Sequence, residues 1–573
     1  MVKNVFLALL PVLVFCFIGR ADTPQQVKPF AEQPQTIEIQ TGASVQAKHG
    51  VCSAGASRTS EAGAEILTLG GNAFDAAAGA LLMVGTGEQD FGLEVPIIFY
   101  RPETGKVQVL SGQGPAPALA TWQHFYDEFE NHKIPLSSRS IQNAAVPGLL
   151  LACLTMLKDY GTMSFEQAAQ PMLRYLKSNN RATQQHLAAT IEELIAAEKK
   201  ALSAGGNRTA GLTAVRDYFY NGPIAERMEK WMMENHGLIR KSDLAAYAEN
   251  WTPLEEPVSV DYKGYTVYKC DTWTQGPYML QTLNLLEKFD LKAMGHNSVD
   301  YIHTLVESLK LGLADRDVYY ADPKFSAVPL RSLLSKEYAD IRRPLIDVQQ
   351  ASQVVRPGDP VNMKALRDKV SLPDGEWGPN NDTTTCIVAD RWGNFVVTTP
   401  SGWGGVGEVG DTGVTMSCRL ISLKSGWENL HHPNVVMPGK RPAITLTPTM
   451  VCKDGKPVIG ISVAGGDMQD QCALNVLLNL IEFGFSPAEA VSVKRVGTEH
   501  HVNWFTQAPP RLGSINLPRG FDENLVEQLQ ARGHKPLFYG SAYGSPSMVF
   551  IDYEKRIFWG AGDAAARRSV AGY

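Results

Sequence analysis

The chain has 573 residues, a formal net charge of -6, 44% hydrophobic and 20% charged residues, an ordinary globular composition with enough apolar material for a large core. This balance excludes a disordered chain, and the lack of any long Lys/Arg run argues against a nucleic-acid groove, because phosphate binding needs clustered positive charge. Length leaves the domain count open, since α/β enzymes often exceed ~150 residues as one compact unit.

At the N-terminus, Lys3 precedes an apolar run from Val5 to Ile18, short for a bilayer span, and Gly19-Arg20-Ala21 follows with small residues suited to a signal peptidase. The pattern predicts a signal peptide over residues 1–21 and a periplasmic or secreted protein; an uncleaved membrane anchor is the alternative. Cys16 follows Phe15 rather than a small residue, which argues against a lipoprotein site. Beyond the leader, Cys52, Cys153, Cys270, Cys386, Cys418, Cys452 and Cys472 are dispersed and odd in number, so no disulfide framework is legible. Residues 22–48, rich in Gln, Pro and Thr, read as a linker, with order beginning near His49.

Helical spacing runs from Ser57 to Leu69 and closes at Gly70-Gly71, after which Asn72 caps a second, Ala-rich helix from Ala73 to Val84. Ile97 to Tyr100 and Val107 to Leu110 flank Pro102-Glu103-Thr104-Gly105 and predict a β-hairpin. Gln185 to Ser203 and Val299 to Tyr320 predict long helices. From Val354 to Asp382 the chain is polar and broken by Pro, Gly and Asn, which predicts an exposed loop. Thr384 to Ala389 and Phe395 to Thr399 then predict strands joined by a turn at Asp390 to Asn394. Met450 to Cys452 and Val458 to Val463 predict two more, ahead of a helix near Gln471 to Phe483.

Common catalytic signatures are missing: the chain has no Walker A, His-Glu-x-x-His, Cys-x-x-Cys or Gly-x-Ser-x-Gly. Gly402-Trp403-Gly404-Gly405-Val406-Gly407 satisfies Gly-x-Gly-x-x-Gly, but Gly410 and Gly413 fall where a phosphate-capping helix should begin. The pairs His431-His432 and His500-His501 are adjacent residues that point in different directions, a poor basis for a metal site, and no cofactor is implied. Two features remain. Thr383-Thr384-Thr385 begins a strand directly after the long loop, and by itself reads as an ordinary strand edge as readily as a nucleophile. Ala464-Gly465-Gly466 ends an apolar strand before a helix, where residues without side chains let backbone N–H groups face a ligand.

From about His49 to Tyr573 the sequence resembles the γ-glutamyltransferase family. Leu69-Gly70-Gly71-Asn72-Ala73-Phe74-Asp75-Ala76-Ala77, Ala145-Val146-Pro147-Gly148, Ala314-Asp315-Arg316 with Asp322-Pro323, Thr383-Thr384 with Val388-Ala389-Asp390 and Gly393-Asn394, Lys440-Arg441-Pro442, Gly465-Gly466 and Ala571-Gly572-Tyr573 occur in family order. The resemblance implies an α+β fold, the αββα four-layer sandwich of N-terminal nucleophile hydrolases, made as one precursor and cut by itself before a nucleophilic threonine. The Asp390 to Asn394 turn sets the register, which implies cleavage between Asp382 and Thr383. A large subunit, 49–382, and a small subunit, 383–573, then form one compact unit. The implied catalytic residues are Thr383 as nucleophile and, through its freed amine, base; Gly465 and Gly466 as oxyanion donors; and Ser401 as hydrogen-bond partner of the nucleophile. The implied partner is a small-molecule amide.

The substrate positions depart from the family. An arginine is replaced by Gln113, a serine pair by Ile444 and Thr445, a carboxamide and an acid by Arg419 and Ser422, and an asparagine by Trp403. On sequence, a guanidinium in place of an acid should disfavour a substrate ammonium, with Arg419 holding either a substrate carboxylate or a structural ion pair. Gly465-Gly466-Asp467-Met468-Gln469-Asp470-Gln471, Gln275-Gly276-Pro277 and Thr445-Leu446-Thr447-Pro448 resemble the acylase-like branch, which includes cephalosporin-acylase and oxamate-amidohydrolase types. Asp90 to Pro96 replaces a Gly-rich loop. The expectation is a γ-glutamyl or other small acyl amide as substrate; the alternative is a pseudoenzyme that kept the fold for binding or scaffolding.

Overall fold

Strand alternation organises the molecule. In the computed structural model, which describes residues 37–573 apart from 130–132, 135–139, 369, 371, 374, 378–382, 403–405, 426–429 and 541–542, Cys386–Asp390 pairs antiparallel with Phe395–Thr398. Cys386, Val388 and Val396 join one buried cluster while Ile387, Ala389, Phe395 and Val397 join another. A period of two thus puts a core on each face of the sheet.

That sheet has eight strands, in the order Gln40–Gly42, Ser569–Gly572, Gly50–Ala54, Cys386–Asp390, Phe395–Thr398, Ile97–Arg101, Lys106–Leu110 and Leu254–Glu255. A second sheet has seven: Ser44–Ala47, Ile557–Gly562, Ser545–Asp552, Lys456–Ala464, Thr449–Lys453, Tyr265–Lys269 and Val258–Tyr262. Val51, Ile98, Val109 and Phe395 of the first meet Met450, Val549 and Phe558 of the second in a core between the sheets. Helices Ser57–Thr68, Ala73–Val84 and Leu149–Asp159 cover the outer face of the first sheet. Pro277–Leu286, Val299–Tyr319 and Gln469–Ile481 cover the outer face of the second, completing an αββα sandwich.

Two of the sequence motifs hold each other. Asn72 caps Ala73–Val84 with a full capping box, its side chain accepting from Phe74 and Asp75 N–H while the Asp75 carboxylate accepts from Asn72 N–H. The next free N–H of that helix, on Ala73, donates to Asp390 at 2.7 Å, and Asp390 also accepts from Trp392 and Asn394 in its own turn. Burial pushes the Asp390 carboxyl up to about 6 against those bonds.

Residues 40–47, read as linker, form strands at the edges of both sheets, which corrects the boundary at His49. Val45 and Ala47 are buried between exposed Ser44 and Gln46, an alternation too short to stand out in a Gln- and Thr-rich stretch. The strand expected from Thr384 starts at Cys386, because Thr384 N–H donates instead to Pro400 O and Thr385 O accepts from Gly55 N–H. The predicted hairpin and both long helices are present with shifted ends. The signal-peptide reading lies outside the described residues. Among those described, no helix is long and apolar enough to cross a membrane, all seven cysteines are buried free thiols, and no group of three or more His, Cys, Asp or Glu could hold a metal ion.

Candidate active site

Where the three threonines leave the loop, their hydroxyls take different partners. The Thr384 hydroxyl donates to Glu88, whose other oxygen accepts from Thr59 Oγ1 at 2.6 Å. Thr385 Oγ1 is 2.8 Å from Ser547 Oγ on the second sheet. Thr383 Oγ1 instead lies 3.4 Å from Ser401 Oγ and 3.2 Å from the Gln469 carboxamide. Its residue is 9% exposed, the most open of the three. Two of the hydroxyls therefore anchor the segment and the third faces the polar cluster around the glycine turn.

That turn follows strand Lys456–Ala464 of the opposite sheet. Gly465 has φ 141° and Gly466 φ 58°, both in the region where a Cβ is strained, and a Cβ on Gly465 would come within 3.2 Å of Gly544 Cα. The turn is clamped from behind. Gln275 Nε2 donates to Gly466 O at 3.3 Å, and fully buried Arg316 donates to Gln275 Oε1 at 2.8 Å, Asp467 Oδ1 at 2.6 Å and Val502 O at 2.7 Å. Next along the chain, Asp470 pairs with Lys269 at 2.7 Å with neither side chain exposed.

Gln469 joins the two halves. One end of its carboxamide lies 3.0 Å from two carbonyl oxygens, Val463 and Thr445, and is therefore the NH2; the other end, 3.2 Å from both Thr383 Oγ1 and Gly466 N, is the oxygen. Thr445 Oγ1 is 3.5 Å from that oxygen, which brings Thr445 to the site through Gln469 rather than directly.

Ser401 is placed by a backbone pair with Glu94, N–H to O at 3.0 Å in both directions. Residues directly opposite in an antiparallel pair project to the same face, so Glu94 sits beside Ser401 on the side of Thr383. Glu94 Oε2 accepts from Arg419 Nε at 3.0 Å, both side chains 1% exposed. This corrects the charge argument made from sequence: the Asp90 to Pro96 segment supplies the acid that neutralises Arg419, so the guanidinium does not by itself repel a substrate ammonium. Burial pushes the Glu94 carboxyl up, and Arg419 pulls it down. Among the described residues, Arg419 Nη2, Gln113 Oε1 and Ser422 Oγ are buried without a hydrogen-bond partner. Gln113 Nε2 donates to Gly114 O at 3.3 Å. Trp403 and Asp382 lie outside the described residues.

A cavity of about 370 Å³ lies at Glu88, the partner of Thr384, lined also by Gln89, Asp90, Arg181, Gln184 and Gly402; Thr383 and the glycine turn are not among its described wall residues. Gln89 Oε1 accepts from Gly402 N–H at 3.0 Å, so the wall continues the Ser401 segment. The sequence reading gave no role to Glu88, Glu94, Gln275, Arg316 or Gln469. Arg316 and Gln469 stood in the sequence only as members of the motifs Ala314-Asp315-Arg316 and Gly465 to Gln471, with no role attached to either side chain.

The family described as gamma-glutamyltranspeptidase matches residues 59–205 and 173–573. The glutathione hydrolase proenzyme of Escherichia coli (strain K12) is 28% identical over 617 residues, covering 100% of both chains. The acylase ACY 1 proenzyme of Pseudomonas sp. (strain SE83) is 29% identical over 524 residues, 83% of this chain and 85% of its own. The crystal structure of cephalosporin acylase from Bacillus halodurans superposes with a TM-score of 0.75 at 24% identity, over 95% of this chain and 99% of that one, which speaks for the fold.

Proposed function

The chain belongs to the gamma-glutamyltranspeptidase family, and we propose that it carries out the amide chemistry of a self-processing amidohydrolase/acyltransferase through Thr383. The observation that carries this assignment is the divergence of three neighbouring hydroxyls: Thr384 and Thr385 are tied to Glu88 and Ser547, while Thr383 faces Ser401 and the glycine turn.

In this reading the precursor is cut between Asp382 and Thr383, giving a large subunit ending at 382 and a small one beginning with the nucleophile. The freed α-amine, with a reference pKa of ~7.7–8.0, takes the Thr383 hydroxyl proton as Oγ1 attacks the substrate amide carbon. The Gly465 and Gly466 N–H groups receive the oxyanion, and Ser401 holds Oγ1. The amine then protonates the leaving nitrogen, and water or an acceptor amine releases the acyl group from Thr383.

The substrate is a small acyl amide. Glutathione hydrolase and acylase relatives span the two chemistries, and the neutral Arg419–Glu94 pair suits an acyl group offering both an acceptor and a donor. The apolar leader supports export through a signal peptide over residues 1–21. The altered substrate positions leave Thr383, Ser401 and the glycine turn in place, and no observation favours a pseudoenzyme.

On a denaturing gel the wild-type protein should run as two bands and Thr383→Ala as one, and sequencing should find Thr383 at the start of the smaller fragment. A wild-type chain that stays intact would refute the assignment.

A further inference from the structure

We propose that the Gln469 carboxamide is a built-in occupant of the oxyanion site, displaced when an acyl substrate binds. This inference rests on the reading of Thr383 as nucleophile and Gly466 as oxyanion donor. Gln469 Oε1 lies 3.2 Å from both Thr383 Oγ1 and Gly466 N, so a carbonyl oxygen of the protein already takes one of the two proposed oxyanion donors and sits against the hydroxyl that would attack the neighbouring carbon. Two oxygens cannot share that point. The side chain is 1% exposed and its NH2 is held by two backbone carbonyls, so the occupancy belongs to the packed interior rather than to a wandering surface group.

A simpler use exists for such a residue. The 3₁₀ turn Gly466–Met468 runs directly into helix Gln469–Ile481, and a Gln reaching back three residues to a free N–H is half of a capping box. Capping accounts for the bond to Gly466. It does not account for the nucleophile's hydroxyl resting on the same oxygen. With both contacts, the side chain satisfies the oxyanion donor and holds the Thr383 hydroxyl while the site is empty, and an incoming acyl oxygen must win against it.

The test uses the full chain with Gln469→Ala, Gln469→Met and Gln469→Glu beside wild type and Thr383→Ala. The probes are γ-glutamyl-p-nitroanilide, an acyl-p-nitroanilide lacking the α-amino group, and phenylboronic acid as a tetrahedral adduct former. Removing the occupant in Gln469→Ala and Gln469→Met should tighten the boronate Ki and lower KM by roughly threefold to tenfold, about one net hydrogen bond, with kcat changed by less than about threefold. Gln469→Glu sets a carboxylate where negative charge develops and should lose about 100-fold or more in kcat/KM.

A kcat loss of about tenfold or more at unchanged KM in the Ala and Met variants would overturn the proposal, because the carboxamide would then be needed in the transition state. A lowered Tm with unchanged Ki would also overturn it, leaving only the helix cap. Should Gln469→Ala fail to fold, Gln469→Met keeps the volume and carries the comparison; failure of both to process beside a processing wild type counts against the proposal. If Thr383→Ala still processes and turns over substrate, it is the parent assignment that fails.

Discussion

The two sheets bring unlike supports to one site. At the hydroxyl edge of the first sheet, Thr383–Thr385 is held by hydroxyl hydrogen bonds to Ser401, Ser547 and the single carboxylate of Glu88. At the glycine turn of the second, buried ion pairs do the holding: Arg316 on Asp467 and Lys269 on Asp470. The difference matches what each half does in the proposed reaction. The edge must let a backbone bond break and a hydroxyl change partners, so single hydroxyl hydrogen bonds suffice there. The turn must keep N–H groups aimed at a developing charge without reorganising, which rigid charge pairs enforce.

The sharpest way to break this comparison is at Thr383, the proposed nucleophile. Thr383→Ala should abolish processing and lower kcat/KM by about 10³-fold or more with little change in Tm, read by gel and p-nitroanilide assay. Arg316→Met should instead strike stability. It leaves Asp467 and Asp317 buried without their guanidinium, costing about 3–5 kcal/mol in denaturant unfolding, and loosens the turn enough to lower kcat about 10²-fold. If Arg316→Met left stability untouched, the contrast between hydroxyl hydrogen bonds and buried ion pairs would collapse.

A third test uses acid on the charged half. His534, 3% exposed and 2.9 Å from His303, is held down to about 2 by burial, with Lys310 and His303 adding to it. Its folded pKa is below its unfolded value of ~6.5, so the stability linked to it is full above about pH 6.5 and lost as pH falls through that window. The loss reaches up to ~1.4 kcal/mol per pH unit. Unfolding measured beside His534→Gln isolates this histidine together with its contact to His303, because buried carboxyls such as Asp390 titrate in both proteins. The stability gap between the two should narrow from about pH 6.5 toward 4, and a constant gap would refute it.

The smallest effects belong to the anchoring hydroxyls. Thr385→Val leaves Ser547 buried without its partner and should cost about 1–3 kcal/mol while processing continues. Thr384→Val should cost about 1 kcal/mol on the same measure, since Glu88 keeps Thr59. Loss of processing in either variant would move the nucleophile away from Thr383.

Local chemistry was readable wherever one segment carried its own signal. The Asn72 cap, the hairpin at Pro102 to Gly105 and the helix from Val299 depend on neighbours within a few positions, so spacing and propensity sufficed. The strands at 40–47 escaped because runs of three and four residues gain meaning only when two sheet edges are present to receive them. Arg419 was legible as a departure but not as a charge, because Glu94 stands 325 positions away and reaches it only through the fold.

Residue order alone thus established the type of chemistry: a threonine after an exposed loop, a glycine pair after a strand, and family motifs in sequence. Which hydroxyl faces the turn, which acid cancels the guanidinium and which carboxamide lies between Thr383 and Gly466 were decided by contacts between chain positions far apart. Such contacts exist only once two sheets have packed face to face, because their partners share no local period or turn that a one-dimensional reading could register.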